Sequence, residues 1–472
     1  MTTFATAVQN TPALSFTDNG MVTLDHSGDP ATTLFFAIGS SRGKNLNAAF
    51  ARAYASEPDV AMKILFWARD ARDGAGERDT FRKLLQNLEV TATDSLIKNL
   101  FLIPEFGRFD DLLVFNTNKV KMAAYDIYVR ALRAGNGLAA KWAPRKGPVA
   151  NDLRKYLNFT PKAYRQLIVS LSNTVETQMC AGAWDQINYE HVPSVASGRY
   201  MKAFTRHDGV RYVEWKQGLK TGATKVNAAV LYPYDVLKSL GYGDREVALA
   251  QWQALPNYLG DDKILPMVDV SGSMSCGVGG QRGVGLTCMD VAVSLGLYIA
   301  DKQTGAFQDC FLNFSDKCKI QVLRGDLLSK MSQMQRSDWG MSTSLESGFR
   351  EILRVATENN LPASEMPRYL LVFSDMEFNA ACREGRSVGA FDLANKMFTD
   401  AGYQCPAVVW WNLNARSDAH GNAPVRFDQT SAALVSGFSP AILKSILSAK
   451  AFTPRSIMME TIGSEKYQVV TA

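Results

Sequence analysis

The sequence predicts an α + α/β protein: an N-terminal α-helical domain of HEAT-like repeats, arranged as a ring or solenoid, then a Rossmann-like domain with a parallel sheet. Three observations carry this expectation. Apolar residues recur at helical spacing for about 200 residues after position 36. After Leu255-Pro256-Asn257 the rhythm changes to short apolar runs alternating with helical stretches. A chain of 472 residues, 46% of them apolar and 21% charged, is too long for one core and too apolar for disorder.

The segment 12–36 reads as extended, with turn signals at Asp18-Asn19-Gly20 and Ser27-Gly28-Asp29. Val60, Ile64, Trp67, Ala68 and Ala71 then fall on one helical face, and Phe81, Leu84, Leu85 and Leu88 on another. The turn Arg72-Asp73-Gly74-Ala75-Gly76 closes the two into a helical hairpin over 59–90. Periodic stretches at 92–102, 109–116, 119–134, 161–181 and 244–254 extend the series. Paired helices in series point to a HEAT-like solenoid; no strict period is visible, which leaves an irregular all-α bundle as the alternative.

In the second half, 264–268, 310–314, 369–373 and 408–411 have the length and composition of buried strands, and 287–301, 345–358, 391–400 and 440–449 read as helices. That order predicts a parallel sheet covered on both faces, with a ligand at the carboxyl ends of its strands. The domains expected are 1–256 and 257–472, joined through 256–262, and the second is expected to fold by itself.

No run of 18 apolar residues occurs, and Met1-Thr2-Thr3-Phe4 lacks the basic start of a secretory signal, so a cytoplasmic protein with no membrane partner is expected. Seven cysteines without Cys-x-x-Cys spacing point to reduced thiols, and four histidines, none spaced with a cysteine, argue against a zinc module. The net charge of +5 hides an asymmetry, because residues 119–238 hold 19 lysines and arginines against 8 acids. Such an excess favours a polyanionic partner, since each cation lowers the cost of approaching phosphates and releases counterions. A solvated basic face kept for solubility is the plain alternative.

Asp269-Val270-Ser271-Gly272-Ser273 follows the first strand of the second half, and its alternation puts the aspartate and both serines on one side of a tight loop. Gly272 allows the bend. Hydroxyls and carboxylates are hard ligands suited to Mg2+ or Mn2+. Thr343, just before the helix from Leu345, adds a hydroxyl, and Asp375, after the strand 369–373, is placed to hold a water on the metal. The set leaves positions for water or for an acidic residue of a partner protein. A lone Asp-x-Ser-x-Ser also makes an ordinary Asx turn; here three segments supply five groups in the order the strand pattern requires.

Pro266-Met267-Val268-Asp269-Val270-Ser271-Gly272-Ser273-Met274, the threonine of Met341-Ser342-Thr343-Ser344-Leu345, and Val372-Phe373-Ser374-Asp375-Met376 resemble the von Willebrand A domain of Ro-type proteins, with its metal-ion-dependent adhesion site. Those proteins join that domain to a TROVE module of helical repeats. Trp67-Ala68-Arg69-Asp70-Ala71-Arg72-Asp73-Gly74-Ala75-Gly76-Glu77-Arg78 is similar to the arginine- and glycine-rich hairpin of the module. Phe106-Gly107-Arg108-Phe109-Asp110-Asp111-Leu112 and Val192-Pro193-Ser194-Val195-Ala196 resemble further segments of its bacterial and phage branch. The likeness covers roughly residues 15–450. It implies a ring of helical repeats, closed by the A domain, that binds structured or misfolded non-coding RNA. The glycine-rich stretch 276–286 departs from the pattern and reshapes access to the metal loop.

Lys220-Thr221-Gly222-Ala223-Thr224-Lys225 lacks the spacing of a phosphate-binding loop. Glu365 and Glu377 read as solvated or capping residues, and Trp410 and Trp411 as core. No nucleophile, base and acid assemble into a set, so no enzyme is expected. The expected protein is a monomeric, Ro-like, RNA-binding component of a ribonucleoprotein. RNA, as single-stranded ends or a small non-coding RNA, would meet Lys141, Arg145, Lys146, Arg199, Lys202, Arg206, Arg211, Lys220 and Lys225, with Trp142, Tyr200 and Phe204 interleaved for stacking. The alternative is a metal-dependent protein-interaction adaptor, or an accessory to an AAA+ ATPase, without RNA binding.

Overall fold

The computed structural model describes residues 11–228, 231–278, 285–315, 317–337, 344–379, 382–383, 386–387, 389–414 and 423–472. An antiparallel hairpin of β1 (Leu14–Phe16) and β2 (Val22–Leu24) comes first. Helices follow up to Ala254, and then a six-stranded sheet with helices on both faces. The division into a helical part and an α/β part is therefore as expected.

The helical hairpin forms from Pro58–Arg69 and Arg78–Thr91, whose apolar faces meet where Phe66 packs edge-on against Phe81 and Phe106 at 5.7 and 5.3 Å. A Cβ on Gly74 would lie 1.9 Å from the Trp67 carbonyl oxygen, so the turn closes only with glycine. Beneath it, Arg69 donates to the fully buried Asp111 at 2.8 Å, and Arg82 takes the other oxygen at 2.6 Å. A buried carboxylate holding two arginines fixes the hairpin against the segment that follows it.

The stretch 30–36 is helical rather than extended. Pro30–Ile38 begins with Asp29 as N-cap, accepting from the Thr32 N–H at 2.8 Å, and with proline at the first helical position. Eight of its nine residues are buried, which erases the amphipathic period and makes the run look like a strand. Its place explains the burial: the helix lies on the sheet of the other half. Ser436 Oγ donates to the Phe35 carbonyl at 3.1 Å and accepts from the Gly39 N–H at 3.0 Å.

The sheet runs in the order β10–β9–β6–β3–β4–β5, with β3 (Ile264–Asp269), β4 (Cys310–Phe314), β5 (Ile320–Val322), β6 (Tyr369–Ser374), β9 (Ala407–Asn412) and β10 (Ala432–Ser436); a small hairpin of β7 (Cys382–Arg383) and β8 (Arg386–Ser387) stands apart. All neighbours are parallel except β4 and β5. Trp410 and Trp411 are fully buried on opposite faces, as core residues. Trp410 faces the helices Leu345–Glu358 and Ala390–Asp400, and Trp411 faces Cys288–Lys302 and Pro454–Ile462.

The Trp411 face does not end at the α/β part. Its apolar cluster continues through Pro30–Ile38 into the helical hairpin, so one core crosses the boundary expected at 256/257. Phe106 stacks on Tyr467 at 5.5 Å, and the Tyr467 hydroxyl donates to Asp70 at 2.9 Å, which ties the last residues to the hairpin. No helix among the described residues is long and apolar enough to cross a membrane.

Candidate metal centre and basic surface

Parallel pairing of β3 with β6 sets Val268 opposite Phe373, so that Asp269 falls beside Ser374 and Asp375 one residue beyond. Ser374 Oγ donates to Asp269 Oδ2 at 2.6 Å, and the Ser271 N–H donates to Oδ1 at 2.9 Å. Both Asp269 and Asp375 are buried. Burial raises the Asp269 pKa well above the usual carboxylate range, and the charge of Asp375 raises it further; hydrogen bonds from Ser374 and Ser271 offset this only in part. No lysine or arginine among the described residues pairs with Asp269.

The hydroxyls of Ser271 and Ser273 are 3.0 Å apart, and Ser273 is half-buried, so the loop presents oxygens toward solvent. Met376, at φ +67°, turns the chain so that its N–H reaches Ser374 Oγ at 3.1 Å and the Glu377 N–H reaches Asp375 Oδ1 at 3.3 Å. Four of the five expected metal-site residues thus converge: Asp269, Ser271, Ser273 and Asp375. Thr343 lies outside the described residues.

Sequence reasoning missed Ser374, which orients Asp269; its signal was a polar residue closing an otherwise apolar strand. It also missed that Cys276 and Cys288, on either side of the glycine-rich stretch, bring their sulfurs to 3.5 Å. The hydrogen bond with Cys276 and then burial raise the pKa of the Cys288 thiol. Glu365 and Glu377 have separate contacts. Glu365 meets Lys263 at 3.1 Å, while the Glu377 carboxylate accepts from the Asp18 N–H and so caps the turn between β1 and β2.

In the helical part, Lys141, Arg145 and Lys146 are exposed on and just after the helix Gly137–Trp142. Arg199, Lys202 and Arg206 stand exposed on one face of Ser194–His207, and no carboxylate among the described residues pairs with them. The two groups are neighbours through Glu176. Its pKa is lowered despite burial by hydrogen bonds from its own backbone, Tyr200 and Thr174, and by the charge of Lys141. Lys225 is exposed as well.

Two expected cations have acidic partners in the structure. Arg211 is spent on Asp208 at 2.8 Å and on the carbonyls of Trp184 and Ile187, and Lys220 pairs with Glu246 at 2.6 Å. Of the expected stacking residues, Phe204 is closed off, while Trp142 and Tyr200 are half-buried. Phe204 is fully buried among Tyr189, Tyr212 and Trp215, the Tyr200 hydroxyl donates to Glu176 at 3.1 Å, and Trp142 lies under the Arg108 guanidinium at 4.0 Å.

Residues 263–470 match a domain of unknown function, DUF7788, and residues 17–115 and 149–262 match another, DUF2828. Over 95% of its length the chain is 28% identical to an uncharacterized protein of Acanthamoeba polyphaga mimivirus, 87% of which is covered. Among solved structures it is similar to the Ro (RSR) protein of Deinococcus radiodurans at 15% identity and a TM-score of 0.40, covering 93% of this chain and 99% of that one. The two matched segments meet between Asp262 and Lys263, immediately before β3.

Proposed function

We propose that this chain is a non-enzymatic RNA-binding protein that holds RNA backbone on its basic helical surface and carries a divalent cation, Mg2+ or Mn2+, in its α/β part. One observation carries the RNA reading: Arg199, Lys202 and Arg206 repeat along a single exposed helix face without acid partners among the described residues. Phosphates have the charge and spacing to occupy such a row. The Ro-type resemblance of the sequence points the same way. Titrating a fluorescent single-stranded RNA with the full chain, and with its triple Arg199→Glu, Lys202→Glu, Arg206→Glu variant, tests it: wild-type binding that the variant loses supports it, and equal binding by both refutes it.

The donors at Asp269 fit a cation. A fully buried carboxylate beside a second buried carboxylate, facing two hydroxyls and unpaired with lysine or arginine, is an arrangement that a hard divalent ion relieves. When bound, the ion supplies a Lewis-acidic position for an oxygen ligand. Asp269, Ser271 and Ser273 would hold it and Asp375 would orient a water beside it, short of the about six oxygens that magnesium takes. That shortfall favours a second reading, in which a partner protein's carboxylate completes the site and the chain is an interaction adaptor. An acidic peptide retained only with Mg2+ present supports the second reading; retention indifferent to chelator refutes it.

A further inference from the structure

The helices Pro148–Tyr156 and Pro161–Leu171 enclose a cavity of about 380 Å3. Its charged lining is wholly basic: Arg145, Lys146, Arg154 and Arg165. The one acid between positions 141 and 165 is Asp152, and Lys121 holds it at 2.8 Å. Arg145, Lys146 and Arg165 have no ion-pair partner among the described residues. Arg154 spends Nη1 on the Phe159 carbonyl at 2.9 Å, but its Nε is buried and makes no hydrogen bond. A buried donor on a permanent cation costs free energy unless something accepts from it.

The backbone adds to this. The helix Pro148–Tyr156 starts at Gly147 with no side-chain cap, which leaves first-turn N–H donors and the positive end of the helix dipole at the Ala150 side of the cavity. The floor has a different character. Ala150, Ile168 and Tyr164 are buried there, and Tyr164 fixes the wall by donating to the Pro144 carbonyl at 3.0 Å, next to Arg145. Cations at the rim over an apolar floor, in a volume typical of small-molecule sites, suit an anion that carries a flat apolar body.

We propose that this cavity binds a phosphorylated nucleotide, with the phosphate monoester on the four cations and the base over Ile168 and Tyr164. The nucleotide is either free or the 5′-terminal residue of an RNA held on the neighbouring basic face; the second case rests on the RNA reading above. Arginine forks match phosphate oxygens, and Arg145 and Arg165 at the cavity have no acid partner among the described residues. A terminal phosphate monoester also carries more charge than a backbone diester, so the site distinguishes an end from the middle of a strand.

The test uses the full chain and an exposed residue, whose replacement spares the fold. Calorimetry with UMP, uridine and inorganic phosphate runs beside anisotropy with a 5′-phosphoryl and a 5′-hydroxyl form of one RNA. UMP binds and uridine does not; the 5′-phosphoryl RNA binds about tenfold tighter than its 5′-hydroxyl form; and Arg165→Ala, outside the basic face assigned to RNA backbone, erases most of that difference while 5′-hydroxyl RNA binds as before. UMP binding that the variant loses, with no RNA bound at all, supports a free-nucleotide site and refutes the RNA reading. RNA bound with no preference for the phosphoryl end and no affinity for UMP overturns the inference while the RNA reading stands. Phosphate competing as well as UMP overturns the assignment of the base.

Discussion

Ser374 Oγ donates to Asp269 Oδ2 across the β3–β6 pair at 2.6 Å, so a hydroxyl on one strand fixes the rotamer of a carboxylate on its neighbour. The other carboxylate oxygen is held by the Ser271 N–H at 2.9 Å, and strand and loop together aim Asp269 at the serine hydroxyls. Asp269→Ala should therefore abolish Mg2+ and Mn2+ binding in calorimetry. Ser374→Ala, which removes only the orienting bond, should weaken it by about tenfold. Undiminished affinity in Asp269→Ala would sink the metal assignment.

The shared core makes a prediction about dissection. A fragment starting at Asn257 loses Pro30–Ile38, whose Phe35 and Leu34 are fully buried in the cluster that also covers the Trp411 face of the sheet. It should expose that surface, bind a hydrophobic dye and unfold without cooperativity, and co-expression with residues 1–256 should restore it. A cooperative, dye-silent fragment would show that the α/β part is self-sufficient, as its sequence suggests. Gly39→Ala probes the same contact within the full chain: the added Cβ would lie 2.7 Å from the Ser436 carbonyl oxygen. A loss of about 1–3 kcal/mol in urea unfolding is expected.

Asp111 is buried between two arginines, at 2.8 Å from Arg69 and 2.6 Å from Arg82. Removing it strands the Arg69 guanidinium, which is itself buried. Asp111→Ala should cost about 3–5 kcal/mol. A change below about 1 kcal/mol would mean that water reaches the site and satisfies both arginines.

Asp235 gives a pH dependence of unusual sign. Burial pushes its pKa from 3.8 up to about 6, and the Tyr232 N–H and Arg42 only partly resist. The folded state thus holds the proton more tightly than the unfolded state, so its contribution to stability falls as pH rises from about 4 to about 6. The loss is on the order of 1–3 kcal/mol. Asp235→Asn should unfold with a flatter dependence over that window, measured in urea; parallel curves would contradict the assignment.

The sequence was legible wherever one period dominated. Four apolar runs gave β3, β4, β6 and β9, and the alternation of Asp269, Ser271 and Ser273 gave the metal loop. It failed where burial hides the period, as in Pro30–Ile38, and where a strand is small or polar, as in β10 with its two alanines and β5 with Gln321. Among the cations, Asp208 three residues before Arg211 was a visible sign that this arginine is paired within its own helix. Arg154 and Arg165 carried no such sign, because only the packing of two helices brings them to one cavity.

The proposed RNA contact lies on the exposed basic face of Ser194–His207. Anisotropy of an unstructured RNA should show affinity falling between about 50 and 200 mM salt with a log–log slope near −2 if three phosphates are contacted, about tenfold or more in all. Reversing Arg199, Lys202 and Arg206, with the fold intact by circular dichroism, should remove most of the affinity and flatten the slope. Binding that is absent in the wild type, or indifferent to both salt and charge reversal, would refute RNA binding by this face.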